Sequence, residues 1–129
     1  MSARARRRLL LLAAAILAAA APAAAHHPGS HAYRQPDGRV RVEVVAQATD
    51  ACIRVGAIRA GAPDGLAPVP GSAAATARLE RVGEGACATV VTAIRGEALL
   101  DLDRGARQVL LYVLSPDGKV AVTERLQMR

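Results

Sequence analysis

From Arg39 onward the chain sets apolar and polar residues in alternation, a period of two that predicts half-buried β-strands rather than helices. Over 39–48, Val40, Val42, Val44 and Ala46 fall on one side, and Arg39, Arg41, Glu43 and Gln47 on the other. Val45 is the one interruption. The run 52–59 predicts a second strand, with Ile53, Val55 and Ala57 sharing a face. Residues 60–71 contain Gly61, Pro63, Gly65, Pro68, Pro70 and Gly71 and predict a long loop. Runs 76–82 and 87–94 predict a strand pair joined by a hairpin turn at Gly83-Glu84-Gly85. Ser72 could instead cap a short helix through Ala73-Ala74-Ala75. A strand from Thr76 is favoured, because Leu79 and Val82 alone make a poor helical stripe.

The remaining elements follow the same logic. A short strand over 98–103 sets Leu100 and Leu102 opposite Asp101 and Asp103. The run 108–114 is apolar on both faces, which predicts a central strand. Ser115-Pro116-Asp117-Gly118 makes a turn, with proline presetting φ and glycine taking a positive one, and 120–126 returns as the last strand. Pro36-Asp37-Gly38-Arg39-Val40-Arg41-Val42 echoes Pro116-Asp117-Gly118-Lys119-Val120-Ala121-Val122, as two hairpins using one turn chemistry would. The fold class expected is all-β: a small antiparallel β-sandwich, immunoglobulin-like or similar, of six to seven strands with one disulfide. The immunoglobulin pattern is only half present, since there is no tryptophan. The expected core is Val42, Val44, Ile53, Val55, Val91, Val109, Leu111, Val113 and Val122.

The first 25 residues have a different pattern. Arg4, Arg6, Arg7 and Arg8 form a basic start, 9–21 an apolar run, and Ala23-Ala24-Ala25 a small-x-small cleavage signature. This predicts a signal peptide over 1–25 and a periplasmic or extracellular protein. A flexible histidine-containing segment is then expected over 26–38 and the sandwich domain over 39–129. A cut after Ala23 satisfies the same rule. The apolar run is short and Ala-rich for a membrane span, so no stable membrane insertion is expected once it is removed.

Export changes the charge argument. The whole chain is +6, but 1–25 holds four of its seventeen basic residues and none of its eleven acids. The rest carries thirteen basic and eleven acidic groups, a net +2. Nucleic-acid binding wants a clustered basic face and stacking aromatics. With Tyr33 and Tyr112 the only aromatic rings of the Phe, Tyr and Trp type, no nucleic-acid partner is expected. Removing 25 of the 129 residues leaves about 104, one small domain of a size that often needs a covalent staple. Cys52 and Cys87 supply it in an oxidising compartment. They close a loop of about 36 residues, a constraint worth roughly 4 kcal/mol.

Candidate chemistry is confined to the histidines. All three, His26, His27 and His31, lie just after the expected cleavage point. A cut after Ala25 gives His26 a free amine beside its imidazole, two nitrogens that can chelate one ion. A second imidazole from His27 or His31 completes a site suited to copper(II), with zinc or nickel as other occupants. Pro28 lacks an amide proton and stops successive backbone amides from wrapping the ion. This resembles the amine-plus-imidazole brace of copper monooxygenases and some periplasmic copper carriers, on one residue and a nearby histidine. The resemblance implies a second imidazole from the folded body, where this sequence has none after His31. A cut after Ala23 would instead place His26 third, in a planar nitrogen cage for copper(II).

Elsewhere the residues argue against catalysis. Glu97, Asp101 and Asp103 fit an exposed strand face, and Ser30, Ser72 and Ser115 sit in turn-like contexts, none in a nucleophile elbow, with every histidine at the N-terminal end. Gly56, Gly61 and Gly65 do not form a dinucleotide fingerprint. The expectation is therefore a non-catalytic exported sandwich that acts by contact with an envelope or extracellular protein and needs no cofactor. The alternative is a periplasmic copper-binding or copper-handling protein that uses the N-terminal histidines. The loop 60–71, with Leu66 and Val69, is the largest irregular surface for a partner.

Overall fold

The structure, a computed structural model, describes residues 29–129; the expected signal peptide, His26 and His27 lie outside them. Seven strands form two sheets: β1 (His31–Arg34), β2 (Val40–Ala48), β3 (Ile53–Ala60), β4 (Ser72–Arg81), β5 (Thr92–Leu100), β6 (Gln108–Leu114) and β7 (Val120–Gln127). One sheet runs β1-β2-β5 and the other β3-β4-β6-β7. The described residues contain no helix. The expected all-β sandwich with one disulfide is what forms, with one departure from an antiparallel pattern: β4 and β6 pair in parallel.

The core lies between the sheets. Val40, Val42 and Val44 of β2 face Val109, Leu111 and Val113 of β6, all buried, while Ala73, Ala75 and Ala77 of β4 supply small inward side chains. The other face of β6 is buried too, because the loop after β3 folds across it. Ala67, Pro68 and Val69 line a small cavity together with Leu110 and Tyr112. That is why 108–114 reads as apolar on both faces.

In β3 the register shifts between Val55 and Ile58. The extra residue of this bulge turns Ile58 rather than Ala57 toward the core, beside Ile53 and Val55. In β5, Gly96 marks a close approach. A Cβ there would meet the Cβ of Val55 at 2.9 Å, so only glycine lets the edge strands of the two sheets pack so tightly. On the opposite seam, Arg129 donates to Ala32 O at 3.0 Å and Arg34 N donates to Arg129 O at 2.8 Å, tying β1 to the chain end.

Several expectations are corrected. The runs 87–94 and 98–103 are not two strands; their facing ends belong to a single β5 over Thr92–Leu100. The 83–85 turn does not close a hairpin, because β4 and β5 belong to different sheets. The segment between them crosses from one sheet to the other, leaving Val91 71% exposed rather than in the core. The strand favoured from Thr76 begins earlier, at Ser72, where parallel pairing with β6 starts at Ser72↔Gln108, and the alternative of a helix capped by Ser72 does not form. His31–Arg34, within the segment expected to be flexible, is strand β1, antiparallel to β2. Val122, expected in the core, is 47% exposed.

Cys52 and Cys87 are bonded, with Cα atoms 5.8 Å apart. The bridge pins the start of β3 to the crossing segment. Val82 N donates to Cys52 O at 2.6 Å beside it, so the long crossing is anchored at two adjacent points.

Candidate functional site

Of the histidines proposed as metal ligands, the structure places His31. It is half-buried in β1, with its ring centroid 6.1 Å from that of Tyr33. Strand register sets His31 beside Glu43 and Glu43 beside Glu97, a row across the outer face of the three-stranded sheet. In the next row Arg41 stands over the Tyr33 ring at 4.9 Å and reaches Glu43 at 3.6 Å. An imidazole and two carboxylates thus share one open face.

The other candidates resolve into structural roles. Asp101 and Asp103 follow β5 rather than lying within it, and Asp103 Oδ1 accepts from Gly105 N at 2.9 Å to shape a turn. Asp50 lies close to both cysteine sulfurs, yet its carboxylate accepts from Cys52 N at 2.8 Å and from Arg81 at 3.1 Å, and the sulfurs are bonded to each other. That trio holds the disulfide corner in place and leaves no thiolate for a metal.

An apolar slot between the sheets is one feature the sequence concealed. Along β7, strand alternation puts Val122 and Glu124 on the same side as Leu126, which is buried in the core. Register confirms the direction, pairing Leu126 with Val109 and Val122 with Val113. Val122 therefore faces the other sheet and is left uncovered. The cause is the shortness of β1, which pairs with β2 only over Arg41 to Glu43 and one rung beyond at Val40. A slot of about 430 Å³ results between the sheets. Val45, Ala46 and Gln47 line one wall, and Leu79, Val113 and Val122 the other.

The edge of β2 at this slot is also open. Ser30 prolongs the β1 ladder with a side chain: its hydroxyl accepts from Val45 N at 2.9 Å and donates to Val45 O at 3.3 Å. Both backbone groups of Val45 therefore point toward the β1 side. In an antiparallel ladder this orientation recurs every second residue, so Gln47 presents its N–H and C=O to the same side. Among the described residues nothing bonds them. Val120, Ala121 and Val122 likewise lie on an edge strand with no second neighbour. Alternation alone could not reveal this slot, since Val122 has the pattern of a core residue. The signal that could have found it is the mismatch between a four-residue β1 and the longer strands on either side of it.

No family model matches this chain, and no curated protein or solved structure matches it either.

Proposed function

We propose that this is an exported, non-catalytic sandwich that binds an extended apolar segment of an envelope or extracellular protein by strand addition in the slot between β2 and β7. The observation that carries the reading is Val122, a core-facing residue left 47% exposed beside the open backbone edge at Gln47. Strand addition draws affinity from backbone hydrogen bonds and specificity from pockets for alternate side chains, and the slot offers both. The disulfide is compatible with export, and among the described residues no helix is long and apolar enough to cross a membrane.

The test is an amide-resolved NMR titration with a ten-residue peptide alternating valine and threonine, against the same peptide carrying a central proline. Shifts should concentrate at 45–48 and 120–124, vanish in Val122→Arg, and weaken with the proline peptide, which lacks a donor. Equal shifts with both peptides, or none at millimolar peptide, would reject strand addition. Self-association that Val122→Arg abolishes would transfer the slot to a second copy of the chain.

A second reading rests on His31, which strand β1 fixes on the outer face of the three-stranded sheet. Here copper(II) is held by His26, His27 and His31, with His31 on the sheet face as the fixed point. Titrating the processed protein with copper(II) tests it. Binding that survives both His26→Ala and His31→Ala removes the reading.

A further inference from the structure

The outer face of the four-stranded sheet, opposite the slot, carries a second concave site. Its strands place Arg54, Arg59, Arg78 and Arg125 outward by register, against Glu80 as the one outward acid. Arg54 is engaged by Glu80 at 3.3 Å. Arg59 and Arg78 are in no ion pair among the described residues, and both line a pocket of about 470 Å³. Arg59 pairs across the ladder with Thr76, so Arg78 is its diagonal neighbour on the same face, at a spacing of roughly 7–8 Å. Two long side chains at that separation can converge on one group.

The pocket has fixed walls. Thr76, which is buried, donates from Oγ1 to Gly61 O at 2.7 Å, and Gly61 N donates to Ala74 O at 2.8 Å. These bonds hold the start of the loop after β3 as one wall. The turn at Gly118 forms the other, within 3.9 Å of the Arg78 Nη2 when measured from an added Cβ. Leu114 also lines the pocket, and Asp64 is the acid in its lining.

We propose that this pocket binds a phosphomonoester, gripped by Arg59 and Arg78. Guanidinium groups match phosphate oxygens in geometry and charge, and a dianion relieves the repulsion between two cations left without partners. The volume exceeds what one phosphate needs and falls in the range of small-ligand sites, about 300–1,000 Å³. The phosphate is thus borne on a polar carrier, either a soluble sugar or a lipid headgroup.

The probes are inorganic phosphate, glucose 6-phosphate and vesicles containing phosphatidic acid, followed by NMR shifts and by co-sedimentation. Arg59→Ala and Arg78→Ala should each weaken binding about tenfold, the loss of one charge-assisted contact. Arg125→Ala, on the same face outside the pocket, should change it little. Asp64→Asn should tighten it, a gain that damage to the fold would not produce. Tighter binding of glucose 6-phosphate than of inorganic phosphate assigns a soluble carrier, and binding confined to the vesicles assigns a headgroup. Equal losses in Arg59→Ala, Arg78→Ala and Arg125→Ala would overturn the site in favour of diffuse attraction to a basic face. So would no binding by any of the three probes.

Discussion

At 36–38 and again at 116–118 the chain makes the same turn from the same three residues. Gly38 N donates to Gln35 O at 3.0 Å, and Gly118 N to Ser115 O at 2.8 Å. The flanking rungs, Gln35 N to Arg39 O at 2.7 Å and Ser115 N to Lys119 O at 2.9 Å, repeat as well. Both glycines take positive φ, 89° and 86°. Four and six residues after each proline stand two valines, yet Val40 and Val42 are fully buried while Val120 and Val122 are 45% and 47% exposed. Local sequence thus sets the turn, while register and coverage by the opposite sheet set burial: a register shift in β7 separates Val120 from Val122, and Val122 faces the other sheet without being covered. The strand after the first turn lies under the four-stranded sheet. The strand after the second runs out beyond the reach of β1, and Val122, left uncovered there, lines the slot, while Val120 pairs with Leu114 on the outer face.

The sharpest way to break this comparison is to shorten the equivalent valines. Val42→Ala should cost about 2–3 kcal/mol, the transfer of a buried valine's lost surface plus the cavity left behind. Val122→Ala should stay within about 0.5 kcal/mol of wild type, as an exposed change does. Urea unfolding of both variants measures the contrast. Equal costs would mean that the slot is closed in solution and the two hairpins are alike after all.

A smaller difference is expected between the turns themselves. Gly38→Ala and Gly118→Ala each force a side chain into the left-handed region, at about 1–2 kcal/mol. Gly38 should be the costlier by a few tenths of a kcal/mol. A Cβ there would meet the Arg104 guanidinium carbon at 3.2 Å, whereas at Gly118 the nearest atom is Arg78 Nη2 at 3.9 Å. Arg104→Ala should erase the gap between the two glycine variants in thermal unfolding. A gap that persists would place its origin in the backbone instead.

The same contrast explains which parts of the molecule were legible in sequence. Strands β2 and β6 were, because each is covered as its pattern implies: one face for β2, both for β6. The disulfide was, because two cysteines allow one pairing. Strand β5 was broken in two by Gly96, which reads as punctuation but serves the packing of Val55. Strand β4 was obscured by alanine, a weak strand former that is held here by neighbours on both sides. Strand β1, four residues in a polar stretch, gave no period to read. The slot depends on the length of that strand, and the arginine pocket on the parallel β4–β6 pairing and a loop that folds back, so neither had a local signature.

The mildest test separates the two turns by their carboxyls. Asp37 and Asp117 are each held below the ordinary aspartate range. For Asp37 the first cause is the Arg39 backbone N–H, at 3.0 Å, followed by the Arg39 side chain at 2.8 Å. For Asp117 it is the Ser115 hydroxyl, followed by the Lys119 backbone N–H at 3.1 Å. A carboxyl lowered in the folded state favours folding above its unfolded value, near 3.9, and loses that contribution as pH falls through the lowered folded value. Asp37→Asn and Asp117→Asn should therefore each flatten the acid limb of stability below about pH 4, with little difference from wild type once both carboxyls are protonated. The causes differ in how they can be removed. Ser115→Ala takes away the main donor to Asp117 and should return that carboxyl toward its ordinary value. Arg39→Ala keeps the backbone N–H and should leave Asp37 lowered. Carboxyl titration by NMR reads both shifts directly. If Arg39→Ala restores Asp37 as fully as Ser115→Ala restores Asp117, the first turn is held by its charged side chain, and the two turns share a shape without sharing a cause.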